Sequence, residues 1–203
     1  RHDERLAYWT SEPDGGLYEA LNKGLRQARG DVVGVLGADD RYATPEALAR
    51  VAGCLKRTGA DCCYGDLAYV SREAPDRVVR LWRSGRPRRS FRGGWMPPHP
   101  TFFVRRTIID ELGAYRTDLR IAADYELMLR YLHRHGLEAA YVPEVLVEMR
   151  TGGTSNRSLR NLIQKSREDY RAWKANGLEP SVVTIACKML RKLPQLLAFG
   201  RRV

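Results

Sequence analysis

A chain of 203 residues, 43% hydrophobic, can bury the core of one large domain, and no stretch of it approaches the roughly 20 apolar residues of a membrane span. Its net charge of +11 and pI of about 9.8 point to an anionic partner: nucleic acid, an acidic membrane face or a phosphorylated substrate. The four cysteines, Cys54, Cys62, Cys63 and Cys187, lack CxxC spacing, which argues against zinc and a disulfide framework and for reduced thiols in a cytosolic protein.

In chain order, "DGGLYEALNKGLRQARGD" predicts an amphipathic helix, with Leu17, Leu21, Leu25 and Ala28 on one face and Gly30 as its stop. "VVGVLG" follows, apolar without alternation, as in a central strand covered on both faces. A second helix is predicted from Thr44, with Pro45 at its first position and Gly59 at its end. "ADCCYGDLAYV" reads as a strand, so helix and strand alternate as in a parallel α/β sheet. Residues 75 to 100, rich in arginine and proline, predict a long surface loop with a strand at Val78 to Trp82. "HPTFFVRR" gives a strand leading into a helix over Thr107 to Leu112. "AADYELMLRYLHRHG" gives a strong helix ending near Gly136, and "AAYVPEVLVEMR" one or two strands. A helix from Ser158 to about Asn176 and a basic amphipathic helix over roughly 181 to 198 close the chain.

Asp39 and Asp40 end the apolar run at 32 to 37. In open α/β sheets ligands bind outside the carboxyl ends of strands, and two hard carboxylates there suit Mg2+ or Mn2+ shared with substrate phosphates. Alone, the pair is equally an acidic turn before the next helix.

The stretch "SEPDGGLYEALNKGLRQARGDVVGVLGADD" closely resembles a segment of family-2 glycosyltransferases, inverting nucleotide-sugar enzymes of the GT-A fold. Ser11, Glu12, Asp14, Gly16, Tyr18, Ala20, Asn22, Lys23 and Gly24 stand at the family's offsets. The resemblance implies an α/β fold of GT-A type, a mixed sheet flanked by helices, with residues 1–157 as the catalytic domain and 158–203 as a helical appendage. It places Asp40, helped by Asp39, on a divalent cation, with Asp39 also near the nucleotide ribose, and Asp14, Asn22 and Lys23 among the substrate-binding residues. The family's motif often carries Asp or Asn where this chain has Gly37.

Farther on, "IAADYELMLRY" matches the family's acidic motif at the start of a helix, with Ala123 in place of its Glu and Asp124 as its Asp. The resemblance makes Asp124 the general base for an acceptor hydroxyl. A carboxylate in hydrogen-bond reach suits that work, and a helix N-terminus favours its anionic form; a plain N-terminal charge is the alternative. Glu126 is the second candidate, pointing roughly 200° away around the helix. "WMPPHPTFFVRR" puts His99 and Trp95 beside the donor and acceptor pocket of the family. The alternatives are a structural histidine and a core aromatic. "MRTGGTSN" resembles the family's glycine loop, where Gly152 and Gly153 let backbone approach a phosphate that Arg150 neutralises; an ordinary turn has the same composition.

The implied partners are a nucleotide-diphosphate sugar and a saccharide or lipid-linked acceptor, in surface-polysaccharide or glycolipid assembly at the inner face of the cell membrane. The basic C-terminal helix suits an anionic membrane surface, or equally docking on the domain. No nucleic acid is expected, since no helix-turn-helix, zinc-finger or RNP signature is present. Two other readings stay open: a non-catalytic anion- or nucleic-acid-binding module, and a nucleotidyltransferase. The family's opening strand and its "DGxSxD" segment have no counterpart here, which predicts a chain truncated at its N-terminus.

Overall fold

The structure is a computed structural model that describes residues 6–86, 91–152, 159–181, 183–184 and 188. Its centre is β3 (Cys62–Val70), buried along its length except at half-buried Tyr69. β3 runs parallel to β6 (Ala139–Arg150), a single 12-residue strand where the sequence allowed one or two. The register slips between Tyr64↔Tyr141 and Asp66↔Val145, so Pro143, which has no N–H for a ladder, falls inside an irregularity. β5 (Phe103–Arg105) pairs antiparallel with the start of β3, and β4 (Val78–Trp82) with its end. β2 (Asp40–Tyr42) pairs antiparallel with the end of β6, and β1 (Val32–Val33) with β5.

The sheet order is therefore β1-β5-β3-β6-β2, a mixed sheet. The expectation of a central strand at "VVGVLG" is corrected here. Only Val32 and Val33 are laddered, and β1 lies at the sheet edge. At Gly34 the backbone presses on the Phe103 ring, where a Cβ would sit 2.4 Å from a ring carbon.

Helices cover both faces. α2 (Ala47–Thr58) buries Val51, Cys54 and Leu55 against Cys63, Leu67, Phe103 and Val147. It starts two residues later than Pro45 predicted, after a turn in which the Ala47 amide bonds the Thr44 carbonyl, and it ends at left-handed Gly59. The opposite face carries α1 (Leu17–Gln27), α4 (Ala123–Met128) and α5 (Leu159–Ala175), packed on Cys62, Tyr64 and Val104. The neighbours Cys62 and Cys63 thus face opposite cores, as the two-residue period of a strand requires.

Three further expectations are corrected. The buried stripe of α1 is Tyr18, Leu21 and Leu25, whereas Leu17 is 64% exposed. α1 ends at Gln27, before Gly30, because the Ala28 amide closes the last turn on Gly24 and Leu25. The stretch after β4 is not all surface loop, since Phe91, Trp95 and Phe102 enter the core. α3 (Arg106–Leu112) follows β5 directly, near its predicted place. After Met128 the helix widens into a π-helical turn over Leu129–Arg134, with the His135 amide reaching back five residues to Arg130. The helix predicted over 181 to 198 falls almost wholly outside the described residues.

Candidate active site

Because β3 and β6 are parallel, their carboxyl ends lie side by side: Val70 is in register with Arg150, and the Thr151 amide bonds the Val70 carbonyl. β2 runs the other way, so its first residue, Asp40, arrives at this same end, opposite Met149. The result is a small cleft of about 110 Å³ lined by Asp39, Asp40, Arg41, Val70, Glu148 and Arg150. Ligands of open α/β sheets bind at this end of the strands.

The two aspartates differ. Asp39 is exposed and accepts from Arg72 at 3.2 Å. Asp40 is half-buried, and its amide bonds the Gly37 carbonyl at 3.0 Å, a turn that folds its carboxylate back over Gly37. Burial raises the Asp40 carboxyl above its ordinary value; the Gly37 amide opposes this, and the charge of Asp39 adds to it. An anion held at such a cost gains from a nearby cation. Glu148 is partly occupied by Arg41, at 2.6 Å.

A divalent cation fits this donor set. Mg2+ is typically held by one or two carboxylates, with phosphate and water oxygens completing the shell. Asp39 and Asp40 would supply the two; among the described residues no group of three or more His, Cys, Asp or Glu forms a ready-made cage. The remaining ligands would be the substrate's.

Asp124 stands at the start of α4, in the helical layer that packs on Cys62, Tyr64 and Val104. Its Oδ1 accepts from the Tyr125 amide at 2.8 Å and from the Tyr18 hydroxyl at 3.3 Å. The N-terminus of α4 is capped from a distance. Glu168 of α5 reaches over and accepts from the amides of Ile121 (2.8 Å) and Ala122 (3.0 Å). Behind Asp124, His99 Nε2 meets the Tyr115 hydroxyl at 2.7 Å, and Tyr115 stacks on Tyr18. Burial lowers the His99 pKa, against the charge of Asp124.

Tyr69 stands one residue before the end of β3, in register with Met149, which is in register with Asp40, and with Arg80 of β4, whose guanidinium lies 4.5 Å over its ring. Burial raises the Tyr69 phenol; Arg80 opposes this, while the charges of Asp40 and of Asp124 both add. Arg80 belongs to the arginine-rich segment of the sequence, whereas Tyr69 was not singled out; its signal was position, one residue before the end of a strand at the same sheet end as the aspartates.

The other candidates have identifiable places. Asn22 spends its amide on Tyr115, donating to the carbonyl at 2.8 Å and accepting from the amide at 3.0 Å. Lys23 ties Asp14 (2.6 Å) and Glu12 (2.7 Å) to α1, so Asp14 and Lys23 meet each other and not the cleft aspartates. Trp95 is buried, its indole donating to the Ser84 carbonyl at 3.1 Å and its ring edge-on to Tyr64 and Phe91, the core placement given above as the alternative. Glu126 is buried against Arg130 and Asn176, which leaves it no room to serve as a base. Arg150 lines the cleft and Gly152, with φ of 106°, follows it. Gly153 lies outside the described residues.

Comparison with known proteins agrees with this architecture. The model of "Glycosyl transferase family 2" matches residues 2–113, more than half of the chain. An uncharacterised glycosyltransferase of Mycobacterium tuberculosis is 34% identical over 130 residues, 62% of this chain and 47% of the relative. A PGL/p-HBAD biosynthesis glycosyltransferase of Mycobacterium bovis is 30% identical over 152 residues, 71% of this chain and 55% of the relative. The chain spans about half the length of these curated relatives. The crystal structure of S. aureus TarS 1-349 in complex with UDP-GlcNAc superposes with a TM-score of 0.55 at 14% identity, over 92% of this chain and 54% of that one, a likeness of fold. On the family match, and with the mixed sheet flanked by helices of a GT-A-like fold, this chain belongs to glycosyl transferase family 2.

Proposed function

We propose that this chain carries the acceptor-activating and diphosphate-binding parts of an inverting glycosyltransferase. The acceptor hydroxyl gives its proton to Asp124 as its oxygen bonds to the anomeric carbon. The bond from that carbon to the diphosphate breaks, and its electron pair leaves on the nucleoside diphosphate. A single displacement of this kind needs one base and one anion site, and no carboxylate nucleophile. Asp124 is the base. Asp39 and Asp40 would hold Mg2+ or Mn2+, which when bound would neutralise charge on the leaving diphosphate. Arg150, with the Gly152 backbone, lies where it can add a charge-assisted hydrogen bond to the same group.

The observation that carries this reading is the cleft at the carboxyl ends of β3 and β6, where antiparallel β2 delivers Asp40, with Asp39 before it, beside Arg150.

The donor is a nucleotide-diphosphate sugar and the acceptor a saccharide or lipid-linked hydroxyl in surface-polysaccharide or glycolipid assembly. The names of the relatives support this: PGL/p-HBAD biosynthesis in Mycobacterium bovis and O-antigen biosynthesis in Myxococcus xanthus. Among the described residues no helix is long and apolar enough to cross a membrane. The proposed setting is an anionic membrane face, and the outward side of α5 supports it by exposing Ile163 and Tyr170 among Arg167, Arg171 and Lys174.

The test is transfer from a panel of UDP-, GDP- and dTDP-sugars, with nucleoside-diphosphate binding measured alongside. Asp124→Asn should lower kcat by about 100-fold or more while leaving binding intact. Asp40→Ala should lose both transfer and Mg2+-dependent binding. Wild-type turnover in either variant would refute that residue's role.

A further inference from the structure

The two carboxylate oxygens of Asp124 are not equivalent. Oδ1 takes both hydrogen bonds, from the Tyr125 amide and the Tyr18 hydroxyl, and no described residue donates to Oδ2. A carboxylate turns easily about its last torsion, so two donors on one oxygen decide which oxygen faces outward. The Tyr125 amide belongs to the same helix turn and moves with Asp124. Tyr18 comes from α1, more than 100 residues earlier, and is an independent anchor.

That anchor is itself well fixed. The Tyr18 hydroxyl is shared with the Ile121 carbonyl at 2.9 Å, which clamps the turn entering α4. Its ring is 6% exposed and stacks on Tyr115 with centroids 5.6 Å apart. Tyr115 is held through its backbone by Asn22 and through its hydroxyl by His99. Removing the Tyr18 hydroxyl would therefore leave the ring seated. Burial, with the charge of Asp124, keeps this phenol protonated, so it remains a donor across the working pH range.

We infer that Tyr18 is a positioning residue for Asp124: with the Tyr125 amide it occupies Oδ1 and presents Oδ2 to the acceptor hydroxyl. The inference rests on the reading of Asp124 as the base. The proton leaves the acceptor oxygen for Oδ2 while the sugar transfers as described above, and Tyr18 gives up no proton of its own. His99, Tyr115 and Asn22 then act one step farther back, as the frame that seats Tyr18.

The experiment compares Tyr18→Phe, Asp124→Asn and the double variant in transfer from the best-used donor of the UDP-, GDP- and dTDP-sugar panel. Tyr18→Phe should lower kcat by about 10- to 100-fold, the cost of a misplaced group. Donor KM should not move, the unfolding midpoint should fall by no more than the few degrees that the lost Ile121 hydrogen bond explains, and in the Asp124→Asn background Tyr18→Phe should add no further loss of kcat. Wild-type kcat in Tyr18→Phe, beside an inactive Asp124→Asn, would overturn the Tyr18 role and leave the base reading standing. A kcat loss accompanied by a raised donor KM, or one that persists undiminished in the Asp124→Asn background, would make Tyr18 merely structural, which also overturns it. Full turnover by Asp124→Asn would remove the base reading and the Tyr18 role together.

Discussion

At the scale of single residues, Gly37 explains the posture of Asp40. A Cβ on Gly37 would lie 2.6 Å from Asp40 Oδ2, so the carboxylate could not stay folded over its own turn. The side chain is free to swing, so Gly37→Ala should spare the fold and misplace the ligand. The expected result is about tenfold weaker Mg2+ dependence of nucleoside-diphosphate binding, with an unchanged unfolding midpoint. Unaltered Mg2+ dependence would refute the coupling. Gly37 was visible in the sequence only as a departure from the family pattern. Its reason depends on a backbone turn, and no residue type announces that. The same holds for Tyr18. Its place in "SEPDGGLYEALNKG" was legible, but its hydroxyl partner lies on α4, and pairing across such a separation is a tertiary fact. Asp39 and Asp40 were easier, because a strand that ends in two like charges is a local anomaly.

At the scale of elements, α4 is too short to hold Asp124 by itself. The turn entering it is held by Glu168 of α5, which accepts from the Ile121 and Ala122 amides, and its flank by Trp173, whose indole donates to the Tyr125 hydroxyl at 2.9 Å. Burial alone would raise the Glu168 carboxyl above its ordinary 4.5, but the Ile121 amide, Gln164 and the amides of Ala122 and Arg120 bring it below. A depressed carboxyl stabilises the fold fully above pH 4.5, and that stabilisation fades as pH falls through the lower folded value. Glu168→Gln should therefore flatten the acid side of a plot of unfolding midpoint against pH, and Glu168→Ala should cost about 1–2 kcal/mol at pH 7. An acid side unchanged in Glu168→Gln would refute the cap. The helices were legible from their periodicity, and β4 was placed at its observed residues. The π turn was not, because one extra residue in a turn leaves the apolar spacing nearly helical. The edge position of β1 was also hidden, since an unbroken apolar run looks central wherever it lies.

At the scale of the molecule, both helical layers and α5 share one sheet. Trp173 and Ala172 of α5 are buried in the same cluster as Tyr125 and Tyr64, so α5 belongs to the packing that positions Asp124. Its outer side is the surface proposed to meet an anionic membrane, and the net charge of +11 favours that encounter from a distance. The chain should co-sediment with phosphatidylglycerol vesicles and release as salt rises from about 0.05 to 0.5 M, where charges are screened within a few ångströms. Replacing Arg167, Arg171 and Lys174 by alanine should weaken the binding. Equal binding to neutral phosphatidylcholine vesicles, or full binding by the triple variant, would remove the membrane from the proposal. The α/β class and the family were readable because they rest on patterns spread over the whole chain. That the sheet is mixed was implied by the resemblance alone, and its strand order was not readable, because antiparallel pairings such as β2 with β6 are decided by contacts distant in sequence.

The adjacent pair Cys62 and Cys63 gives the molecule two internal reporters. Both thiols are buried, and burial pushes Cys63 up to about 12 and Cys62 higher still, so neither reacts while the layers are closed. Cys62 is reached only when the layer carrying Asp124 lifts from the sheet, and Cys63 only when α2 does. Thiol labelling at two successive positions would time the opening of each face separately.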